Sequence, residues 1–452
     1  MSDPPLRVAV VGAGPSGVFT AAALTAAPEL PVEVTVVDRL PTPFGLVRYG
    51  VAPDHFPIRQ MSRTLEKLLD RPEVAFLGNV EIGSDVTAAD LRRCFHAVVW
   101  AVGAPVDRAL GVPGEELPGN LAAAQLVSWY CGHPDADRAG VEGLLATAKR
   151  VAVVGVGNVA LDVARVLIRP PDVLDTTDMP QHVLDALRDS PVREVHLIGR
   201  RGPAQASFTA KELRDLGAID GIALVVDPAD LPPDDSGADA NGRRNLATLR
   251  EWADRPRREG LPELCLRFWR RPVRIEGTRA VEALVTERTQ AGPDGTVHGT
   301  GRFETLPVDL VVRSVGHASV AVPGVPFDPV RRLIPTEGGR VVGAGAGDYA
   351  VGWAKRGPSG VIGTNKADGQ QTAAAIREDA PALLRARPEG VSGLASLRAL
   401  LAARGSPVVD LSGWRRIDQA EIALGRTRGR ARTSLHRRDA LLDAAVHSRQ
   451  PG

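Results

Sequence analysis

The chain has 452 residues, 44% of them hydrophobic and 24% charged, with a formal net charge of +1. That length exceeds what one hydrophobic core serves, so two or three domains are expected, and the ordinary soluble composition excludes a disordered or fibrous chain. The balanced charge gives no global reason to expect nucleic-acid binding, and no apolar run approaches the roughly 18 residues of a membrane span.

In chain order, the first pattern is a strand, Arg7 to Val11, then a glycine-rich turn, Gly12-Ala-Gly14-Pro15-Ser-Gly17, then an Ala-rich apolar run. This is the βα opening of a parallel sheet. The spacing Gly-x-Gly-x-x-Gly suits a dinucleotide. The first glycine makes the tight turn, the second lets the backbone approach a pyrophosphate, and the third allows close helix packing. A helix N-terminus behind it supplies N–H donors and the positive end of a dipole. The next strand, Val32–Val37, ends at Asp38, placed to accept a ribose hydroxyl. Ala97–Ala101 is a further strand candidate.

A second opening follows about 140 residues later: the strand Arg150 to Val154, then Gly155-Val-Gly157-Asn158-Val159-Ala160, then the helical run from Leu161 to Ile168. Its third glycine position holds Ala160, and its acidic ribose partner is missing. Instead the strand Glu194–Ile198 runs into Gly199-Arg200-Arg201. Two guanidiniums at a strand end suit the 2′-phosphate of NADP. The division that follows gives FAD to the first loop and NADP(H) to the second.

Later, Pro228–Asp239 is acidic and Pro-rich and reads as an exposed loop, followed by a basic helical stretch from about Arg243 to Arg258. Leu310–Val315 and Val341–Gly343 are strand candidates. Beyond about Asp379 the patterns are short and end in a basic tail expected to fray, with six arginines between Arg426 and Arg438. Cys94, Cys131 and Cys265 lie far apart, which argues against a disulfide framework, a redox dithiol, a zinc ribbon or an iron–sulfur cluster on this chain, so no metal is expected. The N-terminal run passes almost at once into a strand and lacks a signal-peptide layout, so a cytoplasmic setting is expected.

Three strings carry a resemblance. They are Leu40-Pro-Thr-Pro-Phe-Gly-Leu-Val-Arg-Tyr-Gly-Val-Ala-Pro-Asp-His55, the second glycine loop through Arg165 with Gly199-Arg-Arg-Gly-Pro203, and Val351-Gly-Trp-Ala-Lys-Arg-Gly-Pro-Ser-Gly-Val-Ile-Gly-Thr-Asn-Lys366. Together they resemble the adrenodoxin-reductase-type ferredoxin–NADP+ reductases. The resemblance implies an α/β protein with two doubly wound, Rossmann-like dinucleotide-binding domains. The FAD domain is made of residues 1–106 and 318–452, with the NADP domain, 107–317, inserted between. It implies FAD contacts at Asp38, Leu46, Ile82, Trp353, Gly360, Val361 and Ile362, besides the loop residues Gly12, Gly14, Pro15 and Gly17. It implies NADP contacts at Arg108, Asn158 to Leu161, Arg200, Arg201, Glu212 and Gly360, beside Gly155 and Gly157. The run Gly360-Val361-Ile362 is expected to open a helix facing the flavin, whose dipole would stabilise negative charge on the reduced ring.

Two positions depart from the family pattern: Val156 replaces a usual Asn, and Asp215 a usual Glu. His55 and Asp215 are the candidates for tuning the flavin side, with a structural hydrogen-bonding role the alternative for His55. The implied activity is hydride transfer from NADPH to FAD, then single electrons to an acidic ferredoxin-like iron–sulfur partner docking near Arg243, Arg244 and Arg250. The alternative is an NADPH-dependent flavin reductase or diaphorase-like subunit feeding a different acceptor. A disulfide-reducing flavoenzyme lacks its cysteine pair here, and a non-catalytic NADP sensor leaves the FAD motif unexplained.

Overall fold

The computed structural model describes residues 4–26, 29–292, 294–360, 362–387 and 391–446. The chain divides into two compact units, one formed by 1–106 with 317–452, the other by 107–316. Among the described residues, no helix is long and apolar enough to cross a membrane.

In the first unit the valine-rich runs Leu6–Val11 and Val32–Val37 pair in parallel, Leu6 beside Val32 and Val11 beside Val37. Near-continuous apolar strands of this kind suit a sheet covered on both faces. Seven strands lie in the order Thr336–Glu337, Arg340–Val341, Asp348–Ala350, Ala97–Trp100, Leu6–Val11, Val32–Val37, Val74–Leu77. The chain steps outward from Leu6–Val11 on one side, then returns to place Ala97–Trp100 on the other. The C-terminal ends of those two strands are therefore a topological switch point, where open α/β sheets bind ligands.

Helices Pro15–Leu24 and Ile362–Arg385 share the core with this sheet through Val18, Ala21, Leu24, Ala373 and Ile376. They cross closely: a Cβ on Gly369 would lie 2.9 Å from the Thr20 nitrogen.

The second unit holds a six-stranded sheet in the order Asn120–Ala122, Leu310–Arg313, Arg150–Val154, Glu194–Ile198, Glu263–Arg267, Ala223–Val226. All of its pairings are parallel. Leu310–Arg313 joins on the far side of Arg150–Val154, giving a second switch point. An antiparallel sheet of Arg270–Glu276, Ala283–Ala291 and Val297–Pro307 follows, which the sequence reading did not contain.

Two expectations are corrected. Among the described residues the basic run Arg426–Arg438 is no frayed end: it lies between helices Leu411–Arg426 and Arg438–Val446, which together with Leu394–Ala403 bury Leu397, Leu401, Trp414, Ile417 and Leu441. Their apolar positions recur at helical spacing, as at Leu394, Leu397 and Leu401 and at Leu411, Trp414 and Ile417. Nor is Pro228–Asp239 wholly exposed, since Asp230 is 1% exposed and receives donors from two arginines.

Candidate functional site

The three glycines of the first loop divide their roles by space. Gly12 has φ +113°, and a Cβ there would lie 2.3 Å from the Ala101 carbonyl oxygen at the end of the neighbouring strand. A Cβ on Gly17 would lie 2.0 Å from the Gly12 oxygen, so only glycine lets helix and turn close together. Gly14 is different: its nearest neighbour would be the Gly45 Cα at 4.0 Å, leaving its backbone open to approach. Gly14 is also the N-cap of Pro15–Leu24, with no side-chain cap, so the first-turn N–H groups have no capping acceptor of their own.

Asp38 fixes this loop. Its Oδ2 accepts the Ala13 N–H at 2.7 Å and its Oδ1 the Leu40 N–H at 2.9 Å. Burial pushes its carboxyl above the ordinary range, while those two N–H bonds pull it down. A carboxylate offers about four lone-pair sites, so capacity remains for a ribose hydroxyl.

Around the loop the structure gathers residues the sequence separates by hundreds of positions. Ser16 donates its hydroxyl to Asn365 Oδ1 at 2.9 Å, and Arg356 donates to the same oxygen at 2.7 Å. Gly352, at φ +72°, would place a Cβ 2.1 Å from Ser16 Oγ, and its N–H donates to buried Asp368 at 2.6 Å. Lys355 completes the cluster as an ion-pair partner of Asp368. Ser16, Arg356, Asn365 and Asp368 are not among the site residues expected from sequence. Ser16, Arg356 and Asn365 stand among the glycines of the two motifs, and Asp368 two residues past the second.

Of the expected flavin residues, Trp353 donates Nε1–H to the Ser359 carbonyl at 3.2 Å and stacks on His317 with ring centroids 5.8 Å apart. Gly360 has φ +82°, and the expected helix begins at Ile362; Val361 lies outside the described residues. Leu46 opens the short helix Leu46–Tyr49 and is 44% exposed, an apolar side chain left to water. Ile82 is half-buried beside the Val86 bridge. His55 is buried as the N-cap of Phe56–Arg59.

The second loop repeats the first. Gly155 has φ +138°, with a Cβ position 2.2 Å from the Ser314 oxygen, whereas a Cβ on Gly157 would meet nothing within 4 Å. Gly157 caps Asn158–Ile168, again without a side-chain cap. Ala160 is buried with its methyl accommodated, which is why glycine is not needed there. Asn158 accepts the Thr209 N–H at 3.0 Å and Val159 is half-buried. Leu161 sits wholly in the core, its amide bonded to the Gly157 carbonyl.

Arg200 and Arg201 are exposed just past the end of Glu194–Ile198. Arg108 is exposed, its N–H bonded to the Gly316 carbonyl at 2.9 Å. Glu212 is buried, 3.9 Å from Arg165. Asp215, by contrast, is exposed and paired with Lys211 at 2.7 Å on the helix Ala210–Gly217. Cys94, Cys131 and Cys265 are free and buried.

Two uncapped helix starts, each behind an open glycine at a sheet's switch point, fit two pyrophosphates, and past the strand that follows the second loop stand two adjacent exposed arginines, Arg200 and Arg201, for a further phosphate. That is the class of the two-dinucleotide oxidoreductases. Residues 6–215 match the family model for pyridine nucleotide-disulphide oxidoreductases. The chain is 43% identical to the NADPH-ferredoxin reductase FprA of Mycobacterium tuberculosis, over 95% of this chain and 97% of that one. It is 38% identical to the mitochondrial NADPH:adrenodoxin oxidoreductase of Arabidopsis thaliana, over 99% and 96%. The solved structure of FprA from M. tuberculosis in complex with NADPH superposes with a TM-score of 0.91 at 41% identity, covering 98% of this chain and all of that one. The chain belongs to the adrenodoxin-reductase-type ferredoxin–NADP+ reductase family.

Proposed function

We propose that this protein is a ferredoxin–NADP+ reductase that takes a hydride from NADPH onto FAD and passes electrons singly to a ferredoxin-type iron–sulfur protein. The observation that carries this reading is the asymmetry of the two glycine loops. The first is closed by an acid, Asp38, that accepts N–H donors; the second is followed by two exposed cations.

FAD would lie on the first unit, with its pyrophosphate over Gly14 and the Pro15 helix start and its ring near Leu46, His55, Trp353 and Gly360. NADPH would lie on the second, with its pyrophosphate over Gly157 and its 2′-phosphate at Arg200 and Arg201. Bound flavin supplies the conversion between two-electron hydride chemistry and one-electron transfer. The chain's own task is positioning. Asp38 holds the Ala13 amide, the Ser16–Asn365–Arg356 bonds tie the pyrophosphate turn to the Trp353 segment, and Trp353 is kept in place by Ser359 and His317.

The exposed pairing of Asp215 with Lys211 supports a surface role for Asp215 and leaves His55 as the stronger flavin-side candidate. Arg243 and Arg244 are exposed on the helix Ala240–Ala253 and would meet an acidic partner, whereas Arg250 is engaged by Asp235 at 2.7 Å and the Pro232 carbonyl. Three free, buried cysteines accord with a cytoplasmic setting.

The test is stopped-flow absorbance of the flavin-loaded protein. NADPH bleaches the flavin band faster than NADH does, and a ferredoxin mixed in afterwards is reduced as the band returns. Absence of flavin binding after reconstitution overturns the enzyme reading. Bleaching without transfer to any ferredoxin moves the protein to an NADPH-dependent flavin reductase.

A further inference from the structure

The Arg200–Arg201 segment is not a free loop end. The Arg201 carbonyl accepts the Trp269 N–H at 3.2 Å, and the Arg200 carbonyl accepts the Thr289 hydroxyl at 2.8 Å. The two donors are themselves joined, since the Thr289 N–H donates to the Trp269 carbonyl at 2.9 Å. The Trp269 indole lies directly on Gly202: a Cβ there would fall 2.2 Å from the ring.

Trp269 does this from φ +58°, a left-handed conformation that a bulky side chain rarely adopts and keeps only where its surroundings over-determine it. Asp230 supplies that determination. Its Oδ2 accepts the Phe268 N–H at 3.0 Å and its own carbonyl accepts the Trp269 indole N–H at 3.2 Å. Its Oδ1 in turn receives Arg270 at 2.9 Å and Arg288 at 2.5 Å. Asp230 and Thr289 are buried and Trp269 is half-buried, while Arg200 and Arg201 are exposed, so a multiply bonded frame carries two long cations on its rim.

We propose that Thr289, Trp269 and Asp230 are specificity-determining positioning residues that hold the Arg200–Arg201 backbone so that both guanidiniums meet the 2′-phosphate of NADPH together. This rests on the reading of Arg200 and Arg201 as the 2′-phosphate cations. A guanidinium fork discriminates by geometry, and each long side chain loses rotamer freedom when it grips. Fixing the two backbone carbonyls leaves less to be ordered on binding. NADH has no phosphate there, so it is indifferent to the frame.

The test uses the flavin-loaded enzyme with ferricyanide as electron acceptor and compares Thr289→Val, Thr289→Ser and the double variant Arg200→Ala/Arg201→Ala. Loss of one neutral hydrogen bond should lower kcat/KM for NADPH by about three- to tenfold in Thr289→Val, with NADH unchanged. The affinity for 2′,5′-ADP should fall in step while that for 5′-AMP holds, and Thr289→Ser should restore both. Trp269→Phe should show the same split if Thr289→Val does not fold. Parallel loss for both nucleotides, or no loss, overturns the brace while the double arginine variant still loses its NADPH preference. If that double variant keeps its preference, the 2′-phosphate reading itself fails and the brace falls with it.

Discussion

Asp38 is bonded to backbone donors through both carboxylate oxygens, so the position needs two acceptors and no donor. In Asp38→Asn one oxygen becomes an amide donor facing either Ala13 N–H or Leu40 N–H, so one half-buried hydrogen bond is lost and a donor–donor clash replaces it. The expected outcome is weaker flavin retention by about 1–3 kcal/mol, read as a lower flavin-to-protein absorbance ratio after dialysis, with 2′,5′-ADP binding unchanged. A full flavin complement in the variant would show that Asp38 is not needed to shape the loop. Asp38 and the glycines are legible in the sequence because each acts within a strand–turn–helix unit of its own neighbourhood. Ser16 and Asn365 are not, since they meet across 349 residues and the side chains carry no spacing rule.

At the scale of elements, the short helix Leu46–Tyr49 depends on the helix Leu411–Arg426, which in the sequence shows only a short Ala/Leu/Arg pattern. Arg48 and Glu421 are 373 residues apart and form a buried pair, with bonds of 2.5 and 3.2 Å. Burial works against the Arg48 charge, but Glu421 and Tyr49 together outweigh it and raise the Arg48 pKa. The guanidinium also lies 5.3 Å from the Trp414 ring centroid. Such a pair adds little net stability over an apolar pair, yet removing one charge strands the other in the interior. Glu421→Gln should therefore cost about 3–5 kcal/mol and lower the flavin-release temperature by about 6–20 °C in a fluorescence melt. The double variant Arg48→Met/Glu421→Leu should recover most of that loss. A melt unchanged in the single variant would mean that the terminal helices do not support the Leu46 segment. A pair this distant leaves no local pattern, so only the folded chain reveals it. The parallel strands are legible by their uninterrupted valines, whereas Arg270–Pro307 is not, because its strands are rich in charged residues.

For the molecule as a whole, a net charge of +1 spread over 452 residues gives almost no long-range field, so any steering of an acidic partner must come from a local patch. Six arginines between Arg243 and Arg258 suggest such a patch in the sequence, but folding spends several of them internally. Arg250 is tied to Asp235, Arg255 to Glu251 at 2.6 Å and Arg257 to Glu263 at 2.7 Å. Arg243 gives one nitrogen to the Ala238 carbonyl and remains exposed beside Arg244. If these two arginines form the docking charge, Arg243→Glu/Arg244→Glu should slow electron transfer to a ferredoxin by about tenfold at low ionic strength. The deficit should shrink as salt rises and the screening length falls from about 30 Å at 0.01 M toward about 8 Å at 0.15 M. Flavin reduction by NADPH should keep its rate, since that step does not involve the partner. Equal salt slopes for the native enzyme and the variant would place the docking surface elsewhere. A uniform slowing that includes the NADPH step would mean that the two charges serve the NADP-binding fold and not the encounter.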